Sequence, residues 1–386
     1  MTNPKTHSIN ASRWAVFTVF FINGAIFANW VSRIPRVQAN LAMSEGTLGL
    51  VLLSLAVGVL AALSMAGGLI ARFGSRPVTV AGALTLCALL PPLALMPHPL
   101  ALAVNLFLFG AAMSLMDVAM NAQGVDVERE LGRSVMSSFH AAFSIGGVVG
   151  ATIGGVMAYF SIGAALHFLI AAIGFLPLIL LTAPVLLPTS AAAIPNQTEP
   201  VFRLPARVLW PLGAVAFCAA IGEGAMADWS GVYLKSVVGT DAGTAALGFA
   251  AFSLTMTAGR LVGDRLTMRF QPALLVRVGG VIASLGVLLA ILLPQVAPAL
   301  LGFAAVGAGL SIVVPLAFSA AGNVPNIQAG AGIAGVATIG YAGFLAGPPI
   351  IGLVADVTSL RVAMLLVVLL TGSLVVSSQA LRRERP

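Results

Sequence analysis

The sequence has very little charge. Only 8% of its 386 residues are Asp, Glu, Lys or Arg, and 59% are hydrophobic, whereas soluble globular proteins average about 25% charged residues. The mean hydropathy is +1.04. The scarcity of charge excludes an ordinary soluble domain, and the abundance of apolar residues predicts an integral membrane protein.

Cysteine and the sequence patterns of enzymes are also scarce. The two cysteines, Cys87 and Cys218, both fall in apolar runs, so we expect core residues and neither a disulfide nor a metal centre. Ser137, Ser138 and His140 are neighbours, but no G-x-S-x-G surrounds them, and the histidines lack metal-ligand spacing. A nucleotide-binding signature is missing as well. We therefore expect that the protein is not an enzyme and binds no cofactor or metal. Ion coupling remains as the expected energy source.

Long apolar runs dominate what remains. Twelve windows each approach the roughly 20 residues that cross a bilayer core of about 30 Å, and they cover residues 14–32, 46–71, 78–96, 100–123, 138–160, 162–186, 208–230, 243–263, 272–293, 296–321, 330–355 and 360–380. The pattern predicts an all-α protein with twelve transmembrane helices. We interpret the prolines inside these windows as kinks rather than helix ends, namely Pro91, Pro92, Pro177, Pro315, Pro348 and Pro349.

The basic residues indicate the orientation. If both termini are cytoplasmic, only four of the 19 Lys and Arg residues lie outside, at Arg33, Arg36, Lys235 and Arg361. Basic inner loops also meet anionic lipid, which explains the net charge of +7 without a nucleic-acid partner. We therefore expect cytoplasmic termini and a lipid bilayer as the surroundings.

A polar segment and a weak repeat divide the chain into halves. The segment at 188–207 is rich in Pro, Ser, Thr and charge, so we expect bundles at 1–188 and 207–386 joined by a cytoplasmic linker at 189–206. An offset of 199 aligns "INGAIFANW" (22–30) with "IGEGAMADW" (221–229), and an offset of 197 later pairs Gly110 with Gly307. Such repeats are typical of transporters whose two bundles move around a central site.

Several motifs resemble a known family. "GGLIARFGSRP" after the second span and "AGRLVGDRLTMRF" after the eighth resemble the major facilitator superfamily. "ANWVSRIP", "MDVAMNAQ", "MSSFHAAFS", "EGAMADWS" and "YAGFLAGPPIIG" are similar to its YbjJ-type bacterial inner-membrane members, near the fucose-permease-like branch. The resemblance implies two six-helix bundles in the bacterial inner membrane that move a small solute by alternating access, and we expect a monomer.

The chain departs from the superfamily pattern at defined positions. The resemblance implies a gating loop formed by Arg72, Gly74, Arg76, Asp264 and Arg265, but Ala71 stands where the first loop signature has an acid. In the fourth span, Met120 replaces the arginine of R-x-x-Q-G while Gln123 and Gly124 remain. A proton mechanism that uses that arginine therefore does not transfer to this chain.

Polar residues inside the first half are candidates for function. Asp117 and Asn121 are one turn apart in the fourth span and share a helix face. A charged side chain near the bilayer centre costs about 2.5 to 3.5 kcal/mol, so intramembrane acids are functional candidates by default. His140 is the ionisable residue at comparable depth and a plausible contact of Asp117. The alternative is that Asp117 only bonds neighbouring helices and never titrates.

Two acids of the seventh span are candidates in the second half. Glu223 aligns with Gly24, and no Lys or Arg of its own helix lies within a turn or two. We expect it to carry a coupling proton, with a permanently neutral hydrogen-bond donor as the alternative. Asp228 lies nearer the outer surface beside Trp229, where it would be a solvated gate or helix-end residue.

The remaining candidates line an expected substrate cavity. Trp30 and Trp229 are repeat-related, and their rings would stack on a sugar-like solute or belong to the interfacial aromatic belt. Asn23, Asn29 and Tyr341 lie on helices that line the cavity in the superfamily that the chain resembles. We therefore expect the cavity to draw on these residues together with Asn121 and Asp228.

These observations favour a secondary transporter for a small polar, sugar-like organic solute. Proton-coupled symport is the first hypothesis because lone acids occur in both halves. Proton-driven export of a drug or metabolite is the alternative, and a membrane sensor with a transporter fold is a third possibility.

Overall fold

The computed structural model describes residues 4–133, 135–188, 206–325 and 327–381, without the side chains of residues 4–8, 264, 329 and 330. Regular structure in these ranges is helical throughout. The α-helices are α1 (Pro4–Val31), α2 (Ile34–Asn40), α3 (Glu45–Phe73), α4 (Ser75–Leu89), α5 (Pro99–Leu131), α6 (Met136–Tyr159), α7 (Ala164–Thr182), α8 (Trp210–Ser236), α9 (Ala242–Arg269), α10 (Pro272–Leu292), α11 (Val296–Leu310), α12 (Val313–Ala321), α13 (Ala329–Val357) and α14 (Leu360–Ser377).

The helices form twelve segments that are long and apolar enough to span a bilayer, which confirms the predicted fold class. Five of these segments combine two helical elements, and in the seventh and twelfth a 3₁₀ turn directly precedes α8 or follows α14. The other three are interrupted. The first joins α1 and α2, the third continues α4 into a short 3₁₀ turn, and the tenth joins α11 and α12.

The prolines behave in two ways. Pro177, Pro348 and Pro349 lie inside α7 and α13, as expected for prolines in spanning helices. Pro91 and Pro92 do not, because α4 ends at Leu89 and a 3₁₀ turn follows at Pro91–Ala94. The prediction of a kink there was wrong. Two successive prolines remove two backbone donors, and each disfavours the helical conformation of the residue before it.

The chain forms two compact units. The first comprises Met1–Leu41 and Ser54–Glu199, and the second comprises Ala42–Leu53 and Pro200–Pro386. The start of α3 therefore belongs with the second unit. Residues 189–205 of the expected linker lie outside the described residues.

The sequence repeat reappears in the helix packing of each unit. In the first unit, a β-carbon added to Gly110 of α5 would collide with the carbonyl oxygen of Leu55 on α3. In the second unit, one added to Gly307 of α11 would collide with the carbonyl oxygen of Phe252 on α9. Both residues of the second pair follow those of the first by 197 positions. Glycine thus permits the same close helix crossing in both units.

Large apolar side chains remain exposed along the outer faces of the helices. Leu100, Leu181 and Leu369 are 71%, 70% and 68% exposed. Apolar surface on this scale suits contact with lipid chains.

Candidate functional site

An ion pair lies within the spanning part of the second unit. Glu223 Oε2 of α8 is 3.7 Å from Arg260 Nη2 of α9, and the two side chains are 18% and 31% exposed. Both residues fall inside candidate spans, Arg207–Ser236 and Ala242–Gly263. Their partial exposure leaves part of their hydration in place, so the pair avoids the full desolvation cost of a buried salt bridge.

This pair corrects the expectation that Glu223 has no cation nearby. The α8 sequence has no Lys or Arg within two turns of Glu223, and the charge distribution assigned Arg260 to the cytoplasmic side. Arg260 lies inside α9, three residues before the end of the predicted eighth window at 263, and its side chain reaches Glu223 of α8. Sequence spacing reports neighbours within one helix and carries no information about the helix that packs beside it.

Asp228 lies on a partly accessible stripe of α8. Ala227, Asp228 and Gly231 are half-buried, whereas Trp229 and Ser230 between them are buried. Asp228 follows Glu223 by five residues, which is about 7.5 Å along a helix. The two carboxylates therefore reach the surface of α8 at different depths.

The paired tryptophans lie in the packed interior of their units. Trp30 is 1% exposed and packs 6.5 Å from Phe168 between ring centroids, and Trp229 is 0% exposed. Trp229 Nε1 is buried without a hydrogen-bond partner among the described residues. Both rings are thus buried in this structure, and the stacking and belt interpretations stay predictions.

Asp117 of the first unit is exposed on α5. Asn121 Nδ2 donates to Asp117 Oδ1 over 3.3 Å and to the Asp117 backbone oxygen over 2.8 Å. Asp117 follows Leu108 by nine residues, about two and a half helical turns, so the two side chains lie on opposite sides of α5. Asp117 therefore faces away from the apolar surface on which Leu108 is exposed, which supports a polar face for α5.

His140 is exposed on α6, where its ring packs edge-on against Phe20 of α1 at 5.3 Å between centroids. The bonds of Asp117 go to Asn121 of its own helix. The structure thus places the two titratable groups in different local surroundings and does not bring Asp117 and His140 into the expected contact.

A buried polar chain in the first unit was missed by the sequence analysis. Arg33 Nε donates to His167 Nδ1 over 3.1 Å, and His167 Nε2 is 2.6 Å from Asn29 Oδ1. Arg33 Nη2 also donates to the Ile162 carbonyl oxygen over 2.6 Å, and Asn29 Nδ2 to the Ala25 carbonyl oxygen over 2.7 Å.

These contacts change the interpretation of two residues. Arg33, His167 and Asn29 are 3%, 0% and 0% exposed. Asn29, expected in the cavity, instead joins α1 to α7, and Arg33, expected in an outer loop, is buried. The only sequence signal was an arginine directly after the first apolar window, which equally describes a loop.

Comparison with known proteins now decides the family. The model of the Major Facilitator Superfamily matches residues 15–331. The chain belongs to the Major Facilitator Superfamily. It is therefore a multi-pass membrane transporter and not an enzyme.

Individual relatives agree with this assignment. The chain is 39% identical over 94% of its length to an uncharacterized MFS-type transporter of Yersinia pestis, with 94% of that relative covered. It is 33% identical to the membrane protein MosC of Rhizobium meliloti, over 92% of this chain and 86% of the relative.

Solved structures share the fold. A mutant form of the nucleoside transporter NupG has a TM-score of 0.81 at 12% identity, and the match covers 96% of this chain and 99% of NupG. The transporter FucP in the outward conformation has a TM-score of 0.61 at 18% identity, with the same two coverages of 96% and 99%.

The superfamily loop signature forms a tight connection between α3 and α4. Gly74 is the single residue between the helices, and its φ of 85° lies in the left-handed region that favours glycine. Arg72 lies 5.1 Å from the Phe73 ring centroid, and Arg76 is half-buried. In the second unit Arg265 is exposed on α9, and the side chain of Asp264 lies outside the described residues.

Met120, at the position of the superfamily arginine, contacts a cavity candidate. Asn23 Nδ2 lies 3.6 Å from Met120 Sδ, and Asn23 Oδ1 is buried without a partner among the described residues. Gln123 Nε2 bonds Ser75 Oγ and the Leu187 oxygen over 2.7 and 2.8 Å. The retained glutamine thus joins α5 to the start of α4 and to Leu187, five residues after the end of α7. Of the other cavity candidates, Tyr341 is half-buried on α13.

Proposed function

We propose that this chain is a secondary active transporter of the bacterial inner membrane that takes up a small polar organic solute together with protons. The ion pair between Glu223 and Arg260 is the observation that carries the proposal. In this pair a carboxylate, which can accept a proton, lies beside a fixed cation within the spanning helices, where charges are rare and usually functional. This supports the proposal.

The pair provides a physical means of coupling. When a proton binds the Glu223 carboxylate, the carboxyl becomes neutral and Arg260 loses a compensating charge within the span. A cation near the bilayer centre without an anion costs about 2.5 to 3.5 kcal/mol on insertion scales. Protonation therefore favours a conformation in which Arg260 meets water or an electron-rich group of the solute, and deprotonation favours the original pair.

A polar, uncharged solute suits the accessible groups in both units. Asp117 and Asn121 offer carboxylate and amide groups on the polar face of α5, and Asp228 offers a carboxylate on α8. Such groups hydrogen-bond hydroxyl-rich molecules, and NupG, which shares the fold, is a nucleoside transporter. We therefore infer sugars and nucleosides as the first solutes to test.

The experiment begins with a thermal-shift screen of monosaccharides and nucleosides on the purified protein, because a ligand of the folded state raises its melting temperature. Proteoliposomes then measure uptake of the hit under a pH gradient and exchange without one. We expect Glu223→Gln to abolish pH-driven accumulation and to retain exchange, which needs binding but no net proton movement. Lys235→Gln, which removes a charge at the exposed end of the same helix, is the matched control.

The results separate the alternatives. Unchanged accumulation in Glu223→Gln would remove Glu223 from the coupling mechanism. Solute expelled against its gradient when the proton gradient is inward would establish export instead of symport. Binding without movement of the solute in either direction would favour a sensor.

A further inference from the structure

An apolar groove runs along the first unit between α3, α4 and α5. Its volume is about 490 Å³, and apolar side chains form most of its walls, among them Leu69, Phe73, Val78, Leu89, Leu108 and Leu115. Along α4 the groove extends from Pro77 to Leu89, twelve residues that span about 18 Å of helix. One leaflet of the hydrocarbon core is about 15 Å thick, so the groove has the length of an acyl chain within one leaflet.

Two arginines stand at one end of this groove. Arg72 is exposed beside Phe73, which lines the groove, and the half-buried Arg76 precedes Pro77, which also lines it. The sequence has no Asp or Glu between Glu45 and Asp117. Because Ala71 replaces the acid of the superfamily signature, the two arginines have no acidic neighbour within the loop.

We propose that this groove binds one anionic phospholipid, with an acyl chain along α4 and the phosphate at Arg72 and Arg76. Guanidinium groups bind phosphate oxygens through paired, charge-assisted hydrogen bonds. The positive-inside distribution places this end of the helices at the cytoplasmic face, so the lipid comes from the inner leaflet.

A second groove on the same face serves as an internal comparison. It has a volume of about 450 Å³ and shares Leu108 with the first, and it continues toward Pro92, Met96 and His98. The lining residues of neither groove include Arg or Lys, but the sequence has none between Arg76 and Arg129, so none adjoins the second groove. His98 Nδ1 accepts a hydrogen bond from the Ala101 backbone over 3.1 Å. Both grooves offer apolar surface, but only the first combines it with cations. We therefore expect selection for an anionic headgroup at the first groove alone.

The test uses the full-length protein in detergent and native mass spectrometry. The protein is incubated with equal amounts of phosphatidylglycerol and phosphatidylcholine that carry identical acyl chains. We expect one retained phosphatidylglycerol with about a tenfold preference, which corresponds to about 1.4 kcal/mol. In the double variant Arg72→Gln/Arg76→Gln the preference should fall to about parity, while Arg265→Gln in the second unit should preserve it.

Bulky substitutions test the groove itself. Ala81 and Thr85 line it and are exposed, so Ala81→Phe and Thr85→Phe fill the space without entering a helix contact. Each should remove the retained lipid, whereas Ala61→Phe, exposed on α3 outside both grooves, should keep it. Circular dichroism and monodisperse elution verify that the variants fold.

Three outcomes would overturn the proposal. Equal retention of both lipids by the wild-type protein would show that the arginines select no headgroup. Retention of phosphatidylglycerol in both filled variants would place the lipid elsewhere. A dimer that Ala81→Phe converts to a monomer would make the groove an interface between two copies. Inorganic phosphate should not stabilise the protein as phosphatidylglycerol does, since it lacks the acyl chain.

Discussion

Gly24 of α1 and Glu223 of α8 occupy corresponding positions of the two units but have different roles. A β-carbon at Gly24 would collide with the carbonyl oxygen of Phe143 on α6, so α1 and α6 are in direct backbone contact. At the equivalent of Phe143 the second unit has Gly340 on α13, where an added β-carbon would lie 3.3 Å from Ala216 Cβ of α8.

The second unit therefore places glycine on the neighbouring helix. Ala216 lies seven residues before Glu223, and the Glu223 side chain pairs with Arg260 of α9. The repeat thus keeps the packing of corresponding helices, α1 with α6 and α8 with α13, but the position of Gly24 and Glu223 is not a contact of the same kind in both units. The first unit uses this position for packing, and the second uses it for charge.

The largest expected effect follows from breaking the packing of the first unit. Gly24→Ala adds one β-carbon against a backbone atom that cannot rotate away, and overpacking of this kind costs about 1 to 3 kcal/mol or more. We expect a melting temperature in detergent several degrees lower. Gly67→Ala on α3 is the matched control, because nothing lies within 4 Å of its added β-carbon. Equal stability of the two variants would show that α1 and α6 can separate at little cost.

The second prediction concerns the buried hydrogen bonds among Arg33, His167 and Asn29 in the first unit. The residue 197 positions after His167 is the buried Met364, so His167→Met copies the second unit into the first. Arg33 and Asn29 would each lose a partner, and an unsatisfied buried polar group costs about 1 to 3 kcal/mol. We expect destabilisation of about 2 kcal/mol by thermal unfolding. Met364→Leu, which changes no polar contact, should cost less than about 1.5 kcal/mol.

A partial rescue would identify the cause. Arg33→Leu combined with His167→Met removes the stranded cation and should recover part of the lost stability. If the double variant is as unstable as the sum of the single ones, the cost lies in packing of the imidazole and not in its hydrogen bonds.

The charge of the second unit should contribute less to stability than to transport. Glu223 and Arg260 are partly exposed, so we expect a coupling energy of about 1 kcal/mol, within the range of about 0.5 to 3 kcal/mol for residues in contact. The measurement is a double-mutant cycle of Glu223→Gln and Arg260→Gln by thermal unfolding. Additive losses would mean that the pair has no net interaction and would weaken the proposed coupling.

The sequence predicted the fold better than the site because the two depend on different information. Apolar windows and the internal repeat are properties of the chain itself, and the twelve spans and the packing of Gly110 and Gly307 agree with them. The partners of Glu223 and Arg33 come from other helices. Which residue of a neighbouring helix reaches them depends on helix rotation and register, which a single sequence does not contain.

The N-caps of α3 and α9 give the comparison with the smallest expected effect on stability. Ser44 Oγ accepts from the Thr47 N–H over 3.2 Å at the start of α3, and Asp241 Oδ1 accepts from the Thr244 N–H over 3.0 Å at the start of α9. Both residues of the second cap follow those of the first by 197 positions. The two sequence repeats therefore use the same N-cap, with a hydroxyl in one and a carboxylate in the other.

Asp241 makes its cap sensitive to pH. The pKa of the exposed Asp241 carboxyl lies below its ordinary value. The main cause is the hydrogen bond from the Thr244 hydroxyl, and hydrogen bonds from the backbone of Thr244 and Gly243 add to it. A carboxyl with a lowered folded pKa stabilises the fold above its unfolded pKa of about 3.9, and this stabilisation is lost as pH falls through the folded value.

Asp241→Ser, which gives α9 the cap of α3, should cost about 0.3 to 1 kcal/mol near neutral pH through the lost charge at the helix N-terminus. Asp241→Ala should cost about 1 kcal/mol. Melting curves of both variants and the wild type near neutral pH and in acid test this, and a Ser penalty that persists unchanged in acid would show that the carboxylate charge contributes nothing to the cap.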